Sequence, residues 1–96
     1  LANQNKQGEV EYINSVNNLN ELGYSFMEKG ELKKALETFK LNVLLFPDDW
    51  NVYDSYGEAL LNANNKTEAI KMYQKSLALN PDNENAKEVL MKLKKK

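Results

Sequence analysis

The chain has 96 residues, with 13 basic side chains, all of them lysine, against 14 acidic ones and a formal net charge of −1. That balance gives no global pull toward nucleic acid or an anionic membrane, and no apolar run approaches the about 20 residues of a membrane-spanning helix. The absence of Cys, His and Arg removes the usual transition-metal ligands, the usual acid–base and nucleophilic arrangements at neutral pH, and the planar fork that grips phosphate or carboxylate bidentately.

Residues 1–9 are polar, include Gly8 and carry no period, the composition of a linker. The chain opens on Leu1 rather than Met, as expected of a processed product or a piece of a longer polypeptide. Val10, Tyr12, Ile13 and Val16 then form a short apolar cluster, expected to dock on the elements that follow. A helix is predicted over 16–29 from Leu19, Leu22 and Phe26 at i, i+3 and i+7, with Glu21 and Glu28 on its polar side. The next helix, over 31–46, places Leu32, Leu36, Phe39 and Val43 on one face and Leu41, Leu44 and Leu45 on a second. A helix that is apolar on two faces needs two neighbours. The candidates for the second are the segment 10–16, another domain, or a second copy of the chain.

Helices over 49–63 and 66–80 follow, the latter with Lys66, Lys71 and Lys75 outside, and it lacks the second apolar face. A last helix over 83–94 carries Ala86, Val89, Leu90 and Leu93 on one face and Glu84, Lys87, Glu88 and Lys92 elsewhere, the pattern of a cap that shields the preceding helices and meets water. Lys94, Lys95 and Lys96 read as a solvated tail near a helix C-terminus, where positive charge is favourable, and not as a nucleic-acid contact.

Laying Trp50–Asn83 over Val16–Asp49 exposes a 34-residue echo. Asn17 meets Asn51, Gly23 meets Gly57, Ala35 meets Ala69, Pro47 meets Pro81 and Asp48 meets Asp82. The apolar positions repeat too: Leu19 with Tyr53, Leu22 with Tyr56, Phe26 with Leu60, Leu36 with Ile70, Phe39 with Tyr73 and Val43 with Leu77. Gly30 suits the left-handed residue that closes a helix, and Asn64–Asn65 can serve the same purpose. Asn65 with Glu68 reads as a capping box. Pro47 and Pro81 turn the chain, and Asp48, Asp49 and Asp82 are placed to cap the helices that follow. Gly23 and Gly57 lie inside helices, where Gly costs about 1 kcal/mol relative to Ala. Close approach of the neighbouring helix, at a position facing Ala35 or Ala69, is the expected compensation.

These residues resemble the tetratricopeptide repeat, whose signature is a large residue, a large residue next to Gly, a further large residue, Ala with an aromatic four later, and Pro. The first unit supplies Leu19, Leu22, Gly23, Phe26, Ala35, Phe39 and Pro47, and the second Tyr53, Tyr56, Gly57, Leu60, Ala69, Tyr73 and Pro81. The departures are Leu19 and Tyr53 where the family often has Trp, and Asn64 where the first unit has Gly30. The resemblance covers 16–83 and implies antiparallel helix pairs stacked into a right-handed superhelix, with the first helix of each pair lining the concave side.

Carried over residue by residue, it implies that Asn17, Asn20, Tyr24, Asn51, Asp54 and Glu58 face a ligand. The first helices hold Glu21, Glu28, Asp49, Asp54 and Glu58 against Lys29; the second hold Lys33, Lys34, Lys40, Lys66, Lys71 and Lys75 against Glu31, Glu37 and Glu68. Either surface charge simply fluctuates between helices, or an acidic groove awaits a basic or amide-rich peptide. Exposed ion pairs contribute about 0–1 kcal/mol each, so such a peptide also needs an apolar anchor. The family's grip on a C-terminal carboxylate uses Lys and Asn at set places, which here hold Asn20, Tyr24, Ser55 and Glu88 without a Lys, so binding of that type is not expected.

Ser15, Ser25, Ser55 and Ser76 have no basic partner of the usual kind, which argues against catalysis. Asn65-Lys66-Thr67 matches a glycosylation sequon, but helix capping already explains Asn65. The stretch Asn51-Val52-Tyr53-Asp54-Ser55-Tyr56-Gly57-Glu58-Ala59, with Leu41-Asn42-Val43 upstream, is similar to tails that follow bacterial beta-lactamase-like serine hydrolases and esterases, implying an accessory domain. The expectation is therefore an all-α solenoid: an extension over 1–15, units over 16–49 and 50–83, and a capping helix with a basic tail over 84–96. It is expected to be a non-catalytic protein-interaction module without cofactor or metal, binding a protein or peptide, with Leu41, Leu44 and Leu45 as a possible homodimer or docking interface.

Overall fold

The computed structural model describes residues 17–94, and among them every regular element is a helix. Helix α1 covers 17–28. It is followed by α2 (Leu32–Leu45), α3 (Trp50–Asn62), α4 (Lys66–Leu79) and α5 (Glu84–Lys94). The predicted bounds hold to within about a residue, and the start of the first helix and the apolar cluster at 10–16 lie outside the described residues.

The helix ends follow from local chemistry. Gly30 takes φ +78° and Asn64 φ +61°. At each, two bonds close the helix: Gly30 N–H to the Met27 carbonyl with Glu31 N–H to Phe26, and Asn64 N–H to Leu61 with Asn65 N–H to Leu60. This is the double closure of a Schellman end, built on Gly in one unit and on Asn in the other. Asn65 caps α4 by accepting from Glu68 N–H at 3.3 Å. The Glu68 carboxylate turns to Lys71 at 3.2 Å, so the predicted box shows one arm. Asp49 caps α3, accepting from Asn51 N–H at 3.0 Å. For α5 the cap is Asn83, which accepts from Ala86 N–H at 3.2 Å, and not Asp82 as the sequence suggested. Asn83 lies 34 residues after Asp49, so the two observed caps share one register of the repeat, a position after the register of Asp48 and Asp82.

Successive helices run antiparallel. Between α1 and α2, Asn20 pairs with Asn42 and Tyr24 meets Phe39 edge-on at 5.1 Å. The core falls into three clusters, each bridging neighbouring units: Ala35, Phe39 and Ala59 with Tyr24, Phe26, Met27, Leu36 and Tyr56; Val52 and Tyr53 with Val43, Phe46, Met72 and Leu79; and Tyr73, Ala86 and Leu90 with Leu61, Ile70, Leu77 and Val89. Each aromatic at the hinge of a cluster contributes about 1.5–3 kcal/mol by burial. Helix α5 thus shields Tyr73, as the cap pattern required.

The helical glycines have a different partner from the one expected. A β-carbon on Gly23 would stand 2.5–2.8 Å from three atoms of the Phe39 ring, and one on Gly57 would stand 2.8–3.1 Å from three of the Tyr73 ring. The aromatic four residues after Ala35 or Ala69 fills the space, because the short Ala cannot reach across. Leu22 also departs from its core assignment and is exposed. Its counterpart Tyr56 packs on the cluster that includes Ala35 and Phe39 of the preceding pair, and no such pair precedes α1 among the described residues.

Candidate functional site

Of the first-helix residues singled out for ligand binding, Tyr24 and Glu58 are joined across units by a side-chain bond, whereas Asn20 and Asp54 are engaged by amides from other helices or their caps. Tyr24 is half-buried, with its ring braced by Phe39. Its hydroxyl has one proton and two acceptors across the gap to α3, Ser55 Oγ at 3.3 Å and Glu58 Oε1 at 3.2 Å. Both exceed the about 2.7–2.8 Å usual for a hydroxyl donor. Burial raises the Tyr24 hydroxyl pKa above its ordinary value, the Ser55 bond opposes this, and the charges of Glu58 and Asp54 add to the rise.

Asp54 is bound much more firmly. Its Oδ2 accepts from Asn83 Nδ2 at 2.8 Å, and Asn85 Nδ2 approaches Oδ1 at 3.2 Å and Oδ2 at 3.4 Å. Asn83 is buried, and its amide also donates to Ser76 Oγ at 2.9 Å. Ser76 in turn donates to the Trp50 carbonyl at 2.9 Å. With its own oxygen on Ala86 N–H, Asn83 uses its side chain to tie α3, α4 and α5 together and to cap α5. Unit one achieves a related tie more simply. Asn42, at the register of Ser76, is long enough to donate directly to Asn20, at the register of Asp54, at 3.1 Å.

Of the remaining residues, Asn51 is half-buried and Asn17 is exposed. Asn83, Asn85 and Ser76 were not singled out by sequence. Asn85 could have been found, because it continues the series Asn17, Asn51 at the same spacing. The acidic surface extends its influence inward: the Tyr73 hydroxyl is raised by burial first, and then by Asp54 and Glu58. Away from this surface, Leu41, Leu44 and Leu45 are all exposed, as the second apolar face implied. Among the described residues no group of His, Cys, Asp or Glu could hold a metal ion, and no helix is long and apolar enough to cross a membrane.

The sequence profile of the tetratricopeptide repeat matches residues 50–83. The peroxisomal targeting signal receptor of Candida albicans is 35% identical over 60 residues, which are 62% of this chain and 10% of the receptor. That of Kluyveromyces lactis is likewise 35% identical over 60 residues, 11% of its length. Two crystal structures of MamA are similar to the chain, one with TM-score 0.72 and 30% identity over 83% of this chain and 44% of MamA. The other has TM-score 0.73 and 28% identity over 92% of this chain and 52% of MamA. The chain thus spans about a tenth of the curated relatives and about half of the solved structures.

Proposed function

We propose that this chain, whose residues 50–83 match the tetratricopeptide repeat, is a protein-interaction module that binds a basic or amide-rich peptide, without catalysis, on the first-helix surface of α1, α3 and α5. The observation that carries this reading is the contrast between the two central carboxylates. Asp54 is saturated by Asn83 and Asn85, whereas Glu58 holds only half of a long, shared hydroxyl bond. A peptide ammonium would therefore meet Glu58, displacing the Tyr24 hydroxyl, while Asp54 keeps the cap in place. Asn51 and Asn17 lie on the same helices and supply amides for a peptide backbone.

The test is titration of a short lysine- and asparagine-containing peptide by calorimetry at low and high salt. Binding should weaken with salt, since exposed pairs are screened beyond a Debye length of about 10 Å at 0.1 M. Glu58→Gln should weaken it about fivefold, the equivalent of ~1 kcal/mol, and Tyr24→Phe, by removing the competitor, should tighten it. Salt-independent binding, or no response to Glu58→Gln, refutes the acidic-groove reading. A second reading, a docking or oligomerisation domain appended to a bacterial hydrolase, draws on the exposed Leu41, Leu44 and Leu45; a neighbouring hydrolase domain in the same coding sequence would support it.

A further inference from the structure

Lys92 continues a row that begins with Tyr24 and Glu58. These two stand 34 residues apart, and their contact at 3.2 Å brings the same position of successive first helices side by side. Lys92 is the next member, a further 34 residues on. Helix α5 sits on α4 as α3 sits on α2: Leu90 shares a cluster with Tyr73, just as Tyr56, one repeat earlier, packs on the cluster of Phe39. At its start α5 is also held along α3, where Asn85 approaches Asp54 at 3.2 Å. From helix to helix the row therefore reads as an aromatic hydroxyl, a half-buried carboxylate and an exposed ammonium. That ammonium is uncommitted. Among the described residues the ion pairs are Lys34 with Glu31, Lys71 with Glu68 and Lys87 with Glu84, each lysine using a glutamate three residues before it. Three before Lys92 stands Val89, and neither Glu88, one turn back, nor Glu58, across the row, pairs with it.

Resting on the peptide-binding reading, we propose that the ligand carries an acidic side chain three residues from its basic one, and that Lys92 receives the acid while Glu58 receives the base. The spacing follows from the stack. Packed helices lie about 8–10 Å apart. A polyproline II chain rises about 3.1 Å per residue with three residues per turn, so every third side chain returns to the same side after about 9 Å. One turn of peptide thus matches one step of the row, whereas in a strand residues three apart face opposite ways. The two charges also give the groove a selectivity that an acidic surface lacks. A uniformly basic peptide would set a lysine against Lys92, and that repulsion discriminates against it.

Calorimetric titration of proline-rich peptides with both ends blocked tests this. One peptide holds Lys and Glu three residues apart, made in both orders; its variants have Gln in place of Glu, Lys in place of Glu, or Glu moved to two residues from Lys. The Lys–Glu peptide, in one of its orders, should bind about three- to fivefold tighter than its Gln form at low salt, the upper range for an exposed pair, and the shorter spacing should lose that gain. Lys92→Gln should erase the difference while leaving the Gln form within about twofold, and Lys92→Glu should reverse it in favour of the peptide with two lysines. Lys92 is exposed, so both variants keep the fold, which circular dichroism verifies. Equal affinity for the Glu and Gln forms in both orders, or a preference that survives Lys92→Gln, overturns the assignment. If the peptides then still bind and weaken with Glu58→Gln, the acidic-groove reading stands without it; if no lysine peptide binds at all, both fall together.

Discussion

Gly23→Ala is the sharpest probe of what the repeat requires of its helices. In an exposed helix the change would stabilise by about 1 kcal/mol. Here the new methyl would enter at 2.5, 2.6 and 2.8 Å from Cζ, Cε1 and Cε2 of Phe39, a fully buried ring with no free direction in which to retreat. Overpacking of this kind costs about 1–3 kcal/mol, and three sub-contact distances to one rigid ring place it at the upper end. The net expectation is a loss of about 1–2 kcal/mol, or a fall of roughly 4–8 °C per kcal/mol in melting temperature. Gly57→Ala is the internal control. It has the same helical gain, but its distances to the Tyr73 ring are 2.8, 3.0 and 3.1 Å, so its net loss should be about 1 kcal/mol smaller. Urea unfolding followed by circular dichroism measures both, the midpoint moving without change in slope. Phe39→Leu in the Gly23→Ala background should recover part of the loss. If Gly23→Ala is as stable as the parent or more so, the glycine is not there for the ring and the packing argument fails.

Two further outcomes follow from the same contacts. Asn83→Ala removes a helix cap, about 1 kcal/mol, and two amide bonds at about 1 kcal/mol each, so it should cost about 2–3 kcal/mol; Asn83→Asp keeps the cap but sets a carboxylate against Asp54, and should recover no more than the cap. Exposed Asn85→Ala should change stability by less than about 0.5 kcal/mol, and thermal melts of the three would show whether Asn83 alone is the tie. Tyr24, Tyr53, Tyr56 and Tyr73 all have hydroxyls raised above the ordinary 10.0, chiefly by burial. The neutral form is therefore favoured by the fold: its contribution is complete below pH 10, and it is lost as pH rises above 10 because the unfolded chain ionises first. Urea midpoints measured across this range should fall steadily, with Tyr73 ionising last in an ultraviolet titration; a flat profile would contradict the burial of these rings.

Much of the fold was legible because each cue is local. Period fixed the helices, Gly30 and Asn64 could close them because few residues take φ near +60 to +80° cheaply, and the two Pro residues marked the corners. The misses are of another kind. Whether Asp82 or Asn83 caps α5 depends on which residue leaves the helical conformation, a difference of one position that composition does not encode. The partner of Gly23 was taken to be Ala35, since two small residues suggest close approach, but Ala35 and Phe39 share a face one turn apart and only the ring is long enough to reach. Leu22 belongs to the repeat pattern, yet its burial requires a preceding unit, which a pattern cannot supply.

The candidate site was legible only as a set of positions, and the reason is visible in Asp54 and Glu58. They are chemically similar, lie one turn apart on α3 and were read as one acidic feature. The difference between them comes from residues 29 to 34 positions away: Asn83 and Asn85 toward the next helix, Tyr24 from the previous one. The period lines up Asn17, Asn51 and Asn85 as positions, but it does not say which neighbour in the stack each bond joins. Position 5 of the unit is Asn20 in the first repeat and Asp54 in the second, and in both it is engaged by an amide from the far end of its own pair or just beyond, Asn42 or Asn83. An amide can stand in for a carboxylate there because the position accepts a bond and need not carry a charge. Position 9 changes from Tyr24 to Glu58, and these two meet each other, so one unit's donor sits on the next unit's acceptor. Charge at position 5 is thus incidental to holding the stack, while charge at position 9 meets one long hydroxyl bond, and the proposed peptide binding rests on that contrast.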